Sequence, residues 1–234
     1  MLSPVSAQSL IGGTHVRRFE DNLLPGFSLG QVAVLRTQLA GGAGGELKPT
    51  RTGKRPAHAP YSSAILAINA FGRWLGSEEH LQVAGLGGFE GPLTMERKLR
   101  IRHGGGVANL DCYLEGPEII LGAESKLTEH LAPHAPVDWR PPYRTDEMAM
   151  LLSEGWKRVL EDAIVGRWMP RHVGLEQLLK HALALNSHGD VRPRHLLYCF
   201  WEPSMAQRST RSSSIAPRLG SCRLASATPL HPFT

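Results

Sequence analysis

The apolar positions of this chain change period several times, and each change marks the edge of an element. Residues 109–126 read Asn-Leu-Asp-Cys-Tyr-Leu-Glu-Gly-Pro-Glu-Ile-Ile-Leu-Gly-Ala-Glu-Ser-Lys, two apolar runs broken at Gly116-Pro117-Glu118. That pattern predicts an antiparallel hairpin turning between Pro117 and Glu118. A register symmetric about this centre sets Asp111 opposite Glu124 and Asn109 opposite Lys126, with opposed Cβ atoms about 4.5–5.5 Å apart. Glu124 and Lys126, two residues apart on a strand, point the same way. One face of the hairpin is therefore expected to be polar, with Leu110, Cys112, Leu114, Leu121 and Ala123 on the other.

Before the hairpin, residues 93–102 alternate Met95, Leu99 and Ile101 with Glu96, Lys98 and Arg100, which predicts a strand and a three-stranded meander; Arg97 breaks the alternation. Upstream, Ile65, Ile68, Phe71, Trp74 and Leu75 recur at three- and four-residue steps behind Ser62 or Ser63, the pattern of a capped core helix. Downstream, residues 147–168 form a second helical pattern weakened by Gly155. A clearer third spans 173–186, with Leu175, Leu178, Leu179, Ala182 and Leu185 in one stripe and Gln177, Lys180 and His181 outside it or at its edge. Residues 195–201 are almost continuously apolar, as expected of a strand buried on both faces. A helix followed by such a strand implies parallel pairing, so the predicted fold is α/β, a central mixed β-sheet flanked by helices over residues 61–202.

The two ends differ in pattern. Residues 1–60 are rich in Gly, Pro and basic side chains, with only a weak apolar patch at 27–39, and are expected to be an irregular basic arm. Its Gly41-Gly-Ala-Gly-Gly45 run lacks the GxxxxGK[ST] order of a phosphate loop and reads as a connector. Lys48, Arg51, Lys54 and Arg55 could touch phosphates or simply be solvated. Residues 203–234 are rich in Ser, Arg and Pro with no apolar period, the composition of a disordered tail. The change comes straight after a buried-strand pattern, so the end is expected to be a frameshifted or truncated version of a longer fold.

Composition adjusts this picture only slightly. At 234 residues and 41% hydrophobic content the chain can bury one α/β core. No apolar run of membrane length and no leader pattern is present, so the expectation is a soluble, cytoplasmic protein with no membrane partner. Cys112, Cys199 and Cys222 suggest neither a disulfide framework nor a zinc ribbon. The +5 charge and pI near 9.4 invite a nucleic-acid reading, but four arginines beyond residue 202 supply most of that charge. His130 and His134 have metal-like spacing, yet Pro133 argues against the helix that would aim them together. Trp156 and Trp168 fit helix packing, and GxSxG is absent.

The chemistry rests on the hairpin. Asp111 and Glu124, with the carbonyl of Ser125, offer hard oxygens to Mg²⁺ or Mn²⁺. Lys126 could orient or deprotonate an attacking water or offset phosphate charge, and Glu96 is a candidate third carboxylate. By spacing alone, charged residues on a solvated sheet face would look the same. Asp111 followed by Glu124-Ser125-Lys126 at the end of an apolar strand resembles the D…(D/E)xK signature of the PD-(D/E)xK nuclease superfamily. Gln177 with His181 resembles the Gln and aromatic pair of RecB-type members, with His in place of Tyr. Residues 62–71 and 124–129 are similar to a bacterial group of restriction-type endonucleases. The resemblance spans about residues 45–202. It implies a restriction-endonuclease-like core, DNA as partner, metal ligation by Asp111 and Glu124, a catalytic lysine at Lys126, a further acid at Glu96 and a site-organising amide at Gln177. Two-strand cutting would favour a homodimer by symmetry. The competing readings are a nucleic-acid-binding protein that has lost cleavage through its altered end, and a two-carboxylate glycosidase; the latter is disfavoured by 6% aromatic content and leaves Lys126 idle.

Overall fold

A computed structural model of the chain describes residues 10–11, 15–42, 45–134, 137, 139–189, 191–201 and 223–226. Among the described residues, seven strands and five α-helices follow one another. Leu10–Ile11 (β1) pairs with His15–Val16 (β2) as a small antiparallel ladder, and Leu29–Gly41 is the first helix (α1). Ser63–Phe71 (α2) precedes three strands, Thr94–Ile101 (β3), Gly106–Glu115 (β4) and Ile120–Lys126 (β5). Asp146–Ala149 (α3), Glu154–Ile164 (α4) and Leu175–Asn186 (α5) lead into Arg194–Phe200 (β6), and Arg223–Ser226 is β7.

The main sheet has the order β3-β4-β5-β6-β7. β3, β4 and β5 form the expected antiparallel meander, and the chain then crosses over through α5 to set β6 parallel to β5. The sheet is therefore mixed, with β5 and β6 central and apolar on both faces as their uninterrupted runs require. Beyond residue 202 the expected tail lies outside the described residues except at β7. There an antiparallel strand pairs with the open edge of β6, taking up backbone N–H and C=O groups that a bare edge would leave unpaired.

One apolar layer packs on each face. Leu35 and Leu39 of α1 join Ile65, Ile68 and Phe71 of α2 against Met95, Cys112, Leu121, Ala123, Leu197 and Cys199. On the other face, Leu160 and Ala163 of α4 and Leu175, Leu179, Leu183 and Leu185 of α5 cover Leu99, Ile101, Leu110, Ile120 and Leu196. Cys112 and Cys199 are buried in the first of these layers.

Three expectations are corrected. Residues 29–41 are not irregular: Ser28 and Gln31 form a reciprocal capping box, and the helix docks on the edge of the sheet. Its Gln38 side chain accepts from the Met95 amide at 2.8 Å and donates to the Leu93 carbonyl at 3.2 Å, completing the outer edge of β3 as another strand would. The apolar pattern of α1 is blurred because Leu29 and Val34 point to solvent while only Leu35 and Leu39 are buried. The expected helix over 147–168 is two helices, broken before Ser153, which takes the N-cap position of α4. Trp168 lies beyond α4 and is exposed, whereas Trp156 packs on the core.

The third correction concerns the hairpin faces. Its register is the expected one: Cys112 pairs with Ala123 and Leu114 with Leu121. Yet Leu110 does not share a face with Cys112. Met95 and Cys112 pack with α1 and α2, while Leu99, Ile101, Ala108 and Leu110, of the same parity, pack with α4 and α5. The alternation thus changes phase between Met95 and Leu99 on β3 and between Cys112 and Leu110 on β4. The ladder skips one pair at this level, Glu96 with Asp111, and Glu96 has φ +55°. A left-handed residue within a strand rotates the following side chains to the opposite face, which explains why Arg97 interrupts the simple alternation. Gly42, just past α1, makes room for this kink: a Cβ there would stand 2.7 Å from Cβ of Glu96.

Candidate active site

The phase change places Asp111 and Glu124 differently from a flat hairpin. The β4–β5 ladder ends at Cys112 and Ala123, one pair short of Asp111 and Glu124. Beyond it, Asp111 turns onto Ser125: Oδ2 accepts from the Ser125 amide at 2.8 Å and lies 2.5 Å from Oγ of Ser125. Oγ of Ser125 is also 2.8 Å from the Ser63 carbonyl at the start of α2. One hydroxyl proton cannot serve two acceptors, so the short contact is best satisfied when Asp111 carries a proton. Burial, the largest influence, pushes the Asp111 pKa up, opposed by the two Ser125 hydrogen bonds and by Lys126.

Glu124 is 1% exposed and sits between two partners. Nζ of Lys126 is 2.5 Å from Oε1, and Nδ1 of His181 is 3.5 Å from Oε2. His181 hydrogen-bonds the Asn109 carbonyl, and its Nδ1 has no hydrogen-bond partner. The ring therefore donates through Nε2 and presents the lone pair of a neutral imidazole to a carboxylate oxygen. Burial first, then the positive charge of Lys126, lowers the His181 pKa to about 4, which keeps the ring neutral. Burial and the neighbouring Asp111 push Glu124 well above the usual carboxylate range, and Lys126 only partly offsets them. For Lys126, burial would lower the pKa, but Glu124, Asp111 and Glu129 outweigh it and raise it, so the side chain is an ammonium at neutral pH.

Four further residues belong to this site. Glu129 accepts from the amides of Leu127 and Thr128 at 3.0 Å and bonds the Ser63 side chain. Glu46 is close enough to Asp111 and Glu129 that, after burial, their charges bring its pKa to about 7. His181 and Ser63 complete the set. Glu129 lies three residues after Lys126 within residues 124–129, which the sequence had already singled out, so its position was available there. Glu46 follows a Gly-rich run with no periodicity and carried no signal.

The sequence-predicted residues divide accordingly. Asp111, Glu124, Ser125 and Lys126 meet at the end of the hairpin. Glu96 lies beside Gly42, and its charge is felt at Glu124. His181, expected at the edge of a polar face, is buried against Glu124 because α5 lies flat over that end of the sheet. Gln177, one turn earlier, instead lines a cavity of about 700 Å³ with Trp139, Arg171, Gly174 and Glu176, and no described hydrogen bond or ion pair joins it to Glu124 or Lys126.

No family model, curated protein or solved structure matches this chain. Two buried carboxylates, Asp111 against a hydroxyl that already has an acceptor and Glu124 between Lys126 and an imidazole lone pair, share the one ammonium of Lys126, so a proton or a cation would complete the balance of charge. Their donor set, hard oxygens without thiolate, fits a small divalent cation better than a soft metal. Among the described residues no three His, Cys, Asp or Glu side chains are already grouped to hold a metal, so water and backbone oxygen would have to complete the shell. No helix among the described residues is long and apolar enough to cross a membrane.

Proposed function

We propose that this chain is a Mg²⁺-dependent endodeoxyribonuclease of the restriction type with a PD-(D/E)xK-like site. The observation that carries the reading is the junction of Asp111, Glu124 and Lys126 where the β4–β5 ladder ends, beside a parallel β6 reached through a helix. Asp111, Glu124 and the carbonyl of Ser125 would hold Mg²⁺ or Mn²⁺, which would polarise the phosphoryl oxygens and lower the pKa of a bound water. Lys126, held as an ammonium, offsets charge gathering on the phosphoryl oxygens, a role its raised pKa suits better than that of a base. His181, anchored on the Asn109 carbonyl, packs its ring against Glu124. Ser125 and Ser63 fix Asp111 and tie α2 to the hairpin end. Glu46, with its pKa raised to about 7, would accept a proton, and Glu129 would orient water.

A second reading is a nucleic-acid-binding protein that has lost cleavage, favoured by the Asp111 carboxylate being turned onto Ser125. Incubating the protein with plasmid DNA and Mg²⁺ or EDTA, beside Asp111→Ala and Lys126→Ala, separates the two. The nuclease reading expects nicked or linear DNA with Mg²⁺ only, and a loss of at least about 100-fold in either variant. Cutting that survives EDTA or both substitutions removes the mechanism, and binding without cutting supports the second reading.

A further inference from the structure

A compact basic turn stands at the rim of the carboxylate site, in the segment expected to be an irregular basic arm. Residues 48–55 are held by backbone bonds: the Thr50 amide donates to the Lys54 carbonyl at 2.7 Å and the Gly53 amide to the Thr50 carbonyl at 2.8 Å. The base of the turn is tied at Glu46, whose carbonyl accepts from the Ala57 amide at 3.0 Å, and Glu46 is the rim carboxylate beside Asp111. Lys48, Arg51, Lys54 and Arg55 all project into solvent.

Two observations distinguish these side chains from ordinary surface charges. Some exposed bases are paired, as in Arg18 with Asp21, Arg158 with Glu154 and Arg167 with Asp162, whereas no described ion pair or side-chain hydrogen bond engages these four. The second is charge segregation: residues 47–77 hold five basic residues and no Asp or Glu, while residues 78–202 hold 14 basic and 18 acidic ones. Four of these five bases stand on one turn, next to buried acids that would otherwise repel a polyanion.

We propose that residues 48–55 form a phosphate-tracking surface that grips the sugar-phosphate backbone of nucleic acid beside the carboxylate site. The inference rests on the nuclease-like reading of that site for its choice of partner. Evenly exposed Lys and Arg contact phosphates without reading bases, so the surface contributes affinity and register and no sequence preference. Each phosphate neutralised releases counterions and adds about 0.9 to the slope of log affinity against log salt for duplex DNA.

The test measures binding of a labelled DNA duplex in EDTA, where cleavage plays no part, across a salt series. Arg51→Ala/Lys54→Ala and the reversal Arg51→Glu/Lys54→Glu are compared with wild type and with Arg158→Ala/Arg167→Ala, with melting curves confirming the fold. The proposal expects the alanine pair to weaken binding about tenfold and to reduce the salt slope by about 2, the reversal to weaken it further, and the Arg158/Arg167 pair to leave both unchanged. Unchanged affinity in both turn variants, equal loss in the Arg158/Arg167 pair, or wild-type binding to anionic phospholipid vesicles and not to duplex overturns it. Binding that depends on the turn in a protein that cannot cut removes the nuclease reading alone. Cutting and binding that ignore the turn remove this proposal alone.

Discussion

At Glu46 the fold works against ionisation, first by burial and then by the charges of Asp111 and Glu129, so its pKa rises from 4.5 to about 7. An acid with a raised folded pKa contributes stability below its unfolded pKa and loses it as pH climbs through the folded value. Glu46→Gln should therefore be more stable than wild type at pH 8 by about 1–2 kcal/mol, a figure reduced for partial exposure, with the gap closing toward pH 4.5. Urea denaturation at the two pH values checks this; an equal difference at both would mean that a contact, and not the charge, is responsible. The same scale shows why His181 was misplaced from sequence. Its position at the edge of the α5 stripe fits a solvated side chain equally well, and only the packing of α5 over Glu124 distinguishes the two.

Among the elements, the β3–β4 pair carries the decisive feature, a left-handed residue in mid-strand. A non-glycine there costs about 1–2 kcal/mol, so Glu96→Gly should be neutral or stabilising, whereas Lys98→Gly, two residues on, should cost about 0.5–1 kcal/mol. Gly42→Ala should cost about 1–3 kcal/mol by driving a methyl into the Glu96 side chain. Because that side chain is what the methyl meets, the double variant Gly42→Ala/Glu96→Gly should recover most of the loss, a non-additivity that a double-mutant cycle measures. Additive effects would place the clash elsewhere. Arg97 was the visible trace of this kink: the alternation faltered there in the sequence, but nothing local gave the direction in which the later side chains turned.

For the whole molecule, one sheet divides two apolar layers, and its centre is β5 paired on both sides. Hydrogen exchange should be slowest at the amides of residues 121–125 and 196–199, which open only with the global transition, and fast in residues 48–55, whose side chains touch little. Equal protection in the two regions would contradict the layered core. The buried position of Glu124 follows from the same arrangement, since it sits on the most enclosed strand of the sheet.

The sequence by itself determined the order of the elements from the second helix to β6, apart from the break between α3 and α4, together with the hairpin, its register and the meeting of Asp111, Glu124 and Lys126 near its end. These depend on short-range rules: a turn built on Gly and Pro, a side-chain period of two on strands and an apolar stripe on helices. Tertiary structure decided the rest. That α1 completes an edge, that Glu46, Glu129 and His181 converge on the carboxylates, and that Leu110 and Cys112 part to opposite faces all depend on contacts between residues distant in the chain. Such contacts have no period to betray them, because each is selected by the burial and charge of a neighbour that only the folded chain supplies.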